Sequence, residues 1–287
     1  MKRAIALGLL TVLLVIGVGC FGTPQREISP DTFVTFADWC KNKSGLTPAA
    51  QRTVDELLRD AKTRQCDQAE AVLTGLTTLE FSITMSFWQR HQPKPIVDIA
   101  PLGSLTQLTQ LDMGWNPITS AAPLSNLTQL TKLVLNHSQV SDVTPLANLT
   151  QLTELDLSGN PIGDITPLAG LTNLIWLDLA GTQIADVSPL ANLTNLTWLN
   201  LHSNAVADVT PLANLTQLNQ LRLTGNQITD ISSLVSLTQL TTLDLRGNQI
   251  IDLAPLADLT SLEQLSLNDN PLSDRTCPVQ PESICQF

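Results

Sequence analysis

From Leu105 onward, apolar residues fall at fixed places in a 22-residue unit that recurs without insertion or deletion. Units begin at Leu105, Leu127, Leu149, Leu171, Leu193, Leu215, Leu237 and Leu259. In the unit from Leu149 to Gly170, LTQLTELDLSGNPIGDITPLAG, positions 1, 4, 7, 9, 14, 17 and 20 are apolar, with Asn at 12, Asp at 16 and Pro at 19. Leu155-Asp156-Leu157 alternates inward and outward, as a short strand does. Copies placed side by side therefore predict a parallel sheet advancing about 4.8 Å per repeat. One turn alone cannot bury its leucines, whereas stacked turns bury them in a continuous column.

The polar positions of the unit belong to the same design. Position 12 carries Asn116, Asn160, Asn204, Asn226, Asn248 and Asn270, amides that can donate to and accept from the backbone of adjacent turns. Ser138 and Thr182 interrupt this column, and a local adjustment or a bound water is expected there. The position-19 prolines (Pro123, Pro145, Pro167, Pro189, Pro211 and Pro255, with Ser233 the exception) fix φ on the returning side, which suits short 3₁₀ or irregular segments. An earlier, irregular turn is visible. Residues 73–81 fit positions 1 to 9 and residues 96–102 fit positions 14 to 20, which places an insertion within 82–95.

This pattern resembles the leucine-rich repeat, in the 22-residue form of bacterial internalins and SDS22-like phosphatase-binding proteins. The resemblance spans residues 73–274, nine turns in all. It implies an α/β solenoid with short parallel strands on a concave face, a 3₁₀ or irregular convex side, and protein recognition without catalysis. The internalins' immunoglobulin-like region and wall-anchoring tail are not seen, so adhesion to a host is not the expected role.

Both ends of the array need covers that hide leucines and strand edges. Residues 31–72 read as a helical N-terminal cap. Thr47-Pro48 opens a helical pattern through Val54, Leu57, Leu58 and Ala61, and Cys66-Asp67 opens another through Ala69, Val72 and Leu73. Residues 275–287 read as a C-terminal cap held over the last turn by a disulfide loop. Ahead of the N-terminal cap, Met1-Lys2-Arg3 precedes an uncharged run, Ala4 to Gly19, too short to span a membrane and ending in small residues. It reads as a secretion signal, residues 1–19, and its end resembles a bacterial lipoprotein signal. That resemblance implies that Cys20 is acylated and becomes the mature N-terminus, with residues 20–30 as a tether. Gly17 departs from the leucine usual three residues before the cysteine, and an ordinary signal cleaved nearby is the alternative. Apart from Cys20, the chain has Cys40, Cys66, Cys277 and Cys285, an even number that suggests two disulfides in an exported chain. Of the three connectivities, only Cys40–Cys66 with Cys277–Cys285 is local; the spacing does not suit zinc.

Composition narrows the function. The net charge of −11, or −13 without Lys2 and Arg3, argues against nonspecific nucleic-acid binding. Residues 20–95 are neutral, so the repeats carry the surplus. Much of it is the position-16 column Asp98, Asp142, Asp164, Asp186, Asp208, Asp230, Asp252 and Asp274, where Asp accepts bonds from nearby backbone N–H groups. No nucleophile, base or metal constellation stands out, and no cofactor is implied.

What remains is surface. Positions 6, 8 and 10 point outward from the strands and vary while the scaffold does not. Trp176 and Trp198 should be neighbours on adjacent strands, bordered by Glu154, Asp156, Asp178, Asn200, His202 and Arg222, the composition of a binding hot spot. The two rings could instead stack on each other merely to cover the sheet. Phe87, Trp88, Arg90 and His91 in the insertion form a second candidate surface, with part of the cap as the alternative. The expected role is an exported, lipid-anchored, monomeric scaffold binding a protein on its concave face, with no nucleic-acid partner and membrane contact through the anchor only. The alternatives are a glycan or small-ligand receptor using the tryptophans as a platform, or an envelope spacer.

Overall fold

The computed structural model describes residues 32–83 and 94–287. The proposed signal, Cys20 and the tether therefore lie outside the described residues, as do Phe87, Trp88, Arg90 and His91. Ten strands form one parallel sheet in chain order: β1 (Thr78–Glu80), β2 (Gln110–Asp112), β3 (Lys132–Val134), β4 (Glu154–Asp156), β5 (Trp176–Asp178), β6 (Trp198–Asn200), β7 (Gln220–Arg222), β8 (Thr242–Asp244), β9 (Gln264–Ser266) and β10 (Cys285–Gln286). From β1 to β9 the central residue of every strand is a buried leucine paired with the leucine of the next turn. The sequence period is thus the strand register itself, and the core is a single column from Phe36 to Val279.

The asparagine column is bonded as its chemistry requires. Asn248, almost fully buried, donates through Nδ2 to the carbonyls of Leu223 and Leu245, both at 2.9 Å, and accepts at Oδ1 from the Ile228 N–H at 3.1 Å. At the two interruptions the backbone adjusts. The Ile118 and Ile162 N–H groups, which would have bonded the missing amides, donate instead to the Asn116 and Asn160 carbonyls of their own turns, at 2.7 and 3.0 Å. Thr182 stays linked, its Oγ1 lying 2.6 Å from the Leu179 carbonyl and 3.1 Å from Asn204 Oδ1, whereas buried Ser138 Oγ has no partner among the described residues.

On the returning side, short 3₁₀ turns replace longer helices, most with Pro in the first turn. Each is preceded by a position-16 side chain that accepts from the N–H two residues on, at 2.8 Å for Asp142, Asp164, Asp186, Asp208 and Asp230. These bonds favour the charged carboxylate. Hydrogen bonds from Thr144, Thr166, Ser232 and Thr276 hold Asp142, Asp164, Asp230 and Asp274 below the usual value of 3.8, and Thr210 does the same for Asp208. A depressed native carboxyl supplies stability that is present above 3.8, the unfolded value, and is lost as pH falls through the native one. Asp112 and Asp178 run the other way. Burial raises both, so protonating them on mild acidification favours the folded state. Thermal unfolding followed from pH 7 downward should therefore hold or rise slightly at first, then drop once the pH passes below 3.8. A steady decline starting above pH 5 would contradict this balance.

The N-terminal cap is α1 (Phe36–Lys41), α2 (Pro48–Asp60) and α3 (Cys66–Leu73). Thr35 opens α1 with a capping box to Asp38, and Thr47 Oγ1 accepts from Ala50 N–H at the start of α2. Phe36, Val54, Leu57, Ala69 and Leu73 seal the first turn, while Val72 stays exposed. Cys40–Cys66 joins α1 to α3. Buried Thr53 Oγ1 donates to the Asp98 carbonyl at 2.5 Å, which ties α2 to the first turn. The C-terminal end differs from the sequence expectation. The Cys277–Cys285 loop does more than lie over the last turn, because it contributes β10, paired with β9 as Cys285↔Leu265 and Gln286↔Ser266. The Leu267 N–H is satisfied by the Gln286 carbonyl at 2.7 Å.

Candidate functional site

Four adjacent strands, β4 to β7, carry the outward residues of the candidate site. Trp176 and Trp198 are direct partners across β5 and β6, and their rings stack with centroids 4.3 Å apart and planes 9° from parallel. That separation is close to the strand spacing of about 4.8 Å, so the rings stand upright on the sheet, with faces toward neighbouring strands and edges toward solvent. On the β7 side, the Arg222 guanidinium lies 5.5 Å from the Trp198 centroid, and Trp198 Nε1–H donates to Gln220 Oε1 at 3.1 Å. On the β4 side, Trp176 borders a depression of about 550 Å³ shared with Val134, Glu154, Asp156 and Ile175. The stack is thus closed by a cation at one end and open at the other.

Carboxylates line the open end. Asp156 accepts from the Ser158 N–H at 3.0 Å, from Ser158 Oγ at 2.7 Å and from Asn136 Nδ2 at 2.9 Å, all neutral donors. Asp178, facing Asp156 across the β4–β5 ladder, accepts from the Ala180 N–H at 2.9 Å and Asn200 Nδ2 at 3.2 Å. Burial lifts the Asp178 carboxyl above its ordinary range and the charge of Asp156 adds to the lift, against these two hydrogen bonds and Arg222. Glu154 is paired with Lys132 at 2.7 Å. Burial alone would raise Asp244, but hydrogen bonds from Arg246 and Thr224 outweigh it and leave this carboxyl below its ordinary value. Asn200 is buried rather than freely outward, because its Oδ1 accepts from the His202 N–H at 3.0 Å. His202 is exposed just beyond β6, its ring 2.9 Å from Ser203 Oγ, where it borders a second depression with Arg222, Asp244 and Arg246. Trp176, Trp198, Glu154, Asp156, Asp178, Asn200, His202 and Arg222 are therefore brought onto one surface. Among the described residues there is no group of three or more His, Cys, Asp or Glu placed to hold a metal ion.

Sequence reasoning passed over two features. Ile175 replaces the threonine found at position 5 in five of the other seven units and is 46% exposed, extending the apolar part of the site. Position 11, where the backbone is left-handed, is Gly in four units, Gly159, Gly181, Gly225 and Gly247, yet Trp115 and His137 occupy it at φ 62° and 49°. Their rings stack with centroids 3.9 Å apart, 25° from parallel. The signal was available: bulky aromatics in a column that otherwise favours glycine or small polar residues.

The family of leucine-rich repeats in two copies matches residues 128–170, 172–214, 194–236 and 238–275. Internalin C2 of Listeria monocytogenes is 37% identical, covering 77% of this chain and 93% of its own, with a TM-score of 0.68. The chain belongs to the internalin-like leucine-rich repeat proteins. A second Listeria monocytogenes internalin, InlF, is similar to this internalin-like chain at 28% identity, over 79% of this chain and 85% of its own, with a TM-score of 0.56. The functional domain of Listeria monocytogenes InlJ shares the fold at 24% identity, over 84% and 53%, with a TM-score of 0.58. Among curated proteins no relative matches.

Proposed function

We propose that this chain is an exported, lipid-anchored scaffold of a bacterial cell envelope that recognises a protein partner through its concave face, without catalysis. The observation that carries this reading is the upright Trp176–Trp198 stack flanked by Arg222 at one end and carboxylates at the other. Half-buried aromatics with adjacent Arg and acids on a rigid sheet are what a desolvated interface centre requires, because their ordering cost is prepaid by the fold. Nine stacked strands at about 4.8 Å span roughly 40 Å, ample for a standard interface of ~800 Å² per partner. Two disulfides suit an oxidising compartment outside the cytoplasm, and acylation at Cys20 would supply the anchor. The glycan alternative fits less well, since only one ring face of the pair is open: that of Trp176 borders the depression, while that of Trp198 is covered by Arg222.

A photo-crosslinking amino acid at position 220, beside the Trp pair, is compared with one at position 235 on the returning side, in cells that make the protein. A discrete protein adduct from position 220 alone is the expected result. Adducts only from position 235, or the same adducts from both, would remove the concave face from the account.

A further inference from the structure

We infer that the open face of Trp176 receives an arginine side chain of the protein partner, its guanidinium stacked on the indole and bonded to Asp156. This inference rests on the concave-face reading and names the partner's chemistry at the centre of that face.

The stack itself supplies the argument. Its two outer faces are inequivalent: that of Trp198 is covered by the chain's own Arg222 at 5.5 Å, and that of Trp176 faces the depression lined by Val134, Glu154, Asp156, Ile175 and Lys132, the last paired with Glu154. A guanidinium is already seated at one end of this ring pair, so the ring faces and spacing accept such a group. Charge at the other end is unbalanced. Lys132 is taken up by Glu154 and Arg246 by Asp244. Among the described residues, Glu80, Asp112, Asp156 and Asp178 on the same face have no salt-bridge partner. Burial is the main cause of the upward displacement of Asp112 and Asp178, and the neighbouring carboxylates, Glu80 and Asp156 for Asp112 and Asp156 for Asp178, add to it. Asp156 receives only neutral donors, so its charge is solvated by dipoles and remains available to a cation. Ile175 and Val134 at the rim favour the weakly hydrated, planar guanidinium over the strongly hydrated ammonium of lysine. A partner segment carrying Arg beside an apolar residue meets all of these features at once.

A random peptide display library selected on the immobilised protein tests this, followed by affinity measurements on the enriched peptides. Enriched peptides should carry Arg next to an apolar residue. Replacing that Arg by neutral citrulline should weaken binding about tenfold or more, and by Lys less, while Trp176→Ala and Asp156→Asn on the protein should each weaken it several-fold or more. Raising ionic strength from about 0.05 M to 0.5 M should weaken it further. Peptides that depend on Trp176 and Trp198 but tolerate citrulline would overturn the arginine assignment and leave the concave-face reading standing. Peptides indifferent to both tryptophans, or no enrichment at all, would overturn the assignment, and crosslinking at position 220 then decides the broader reading separately.

Discussion

Asn248→Ala should lower the unfolding free energy by about 3 kcal/mol in urea titrations, more than a substitution at an exposed position of the repeat by a wide margin. The alanine leaves the Ile228 N–H without its 3.1 Å acceptor and takes a donor from the Leu223 and Leu245 carbonyls, inside a column where water has no access. Stranded buried groups cost about 1–3 kcal/mol each, and three are affected. The chain shows how much of that can be recovered. At Ser138 and Thr182 the preceding turn redirects its N–H to its own carbonyl, so one of the three losses is repairable and the total stays nearer the lower end. The converse substitution, Ser138→Asn, should gain about 1 kcal/mol by occupying the position with the amide the column uses elsewhere. A loss below about 1 kcal/mol for Asn248→Ala would mean that leucine packing alone holds the turns in register.

The scaffold was legible because each of its features recurs. Leu at positions 7 and 9 makes the strand, Asn at 12 links the turns, and Asp at 16 with Pro at 19 starts the 3₁₀ segment; eight copies make coincidence implausible. Features that occur once were harder to read. The segment at Cys285-Gln286 has no leucine at the strand centre and no Asn ladder, so only the backbone of β9 and the disulfide bring it into the sheet. That Trp176 and Trp198 are neighbours follows from register and was expected, as was Arg222 beside them, whereas their stacking on each other is what the sheet-covering alternative expected. The burial of Asn200 was not expected, because it depends on hydrogen bonds made to Asp178 and His202 rather than on strand alternation. Nor was the Trp115–His137 pair, since a left-handed backbone at position 11 is a property of the turn and leaves no hydrophobic period in the sequence.

Trp176→Ala with Trp198→Ala should abolish recognition while leaving the solenoid folded. Both side chains are half-buried on the outer face, and the central leucines beneath them, Leu177 and Leu199, are fully buried independently of the rings. Removing the stack therefore costs only ~0.5–1.5 kcal/mol beyond lost surface contact, a small fraction of the stability of a continuous core. In an interface the same two rings act as anchors worth roughly 2 kcal/mol each, which converts to about a thousandfold in affinity. The decisive measurement is the affinity of the double variant for the protein crosslinked at position 220, taken alongside its thermal unfolding. The account predicts a loss of about a thousandfold with unfolding shifted by only a few degrees; an unchanged affinity in a folded double variant would contradict it.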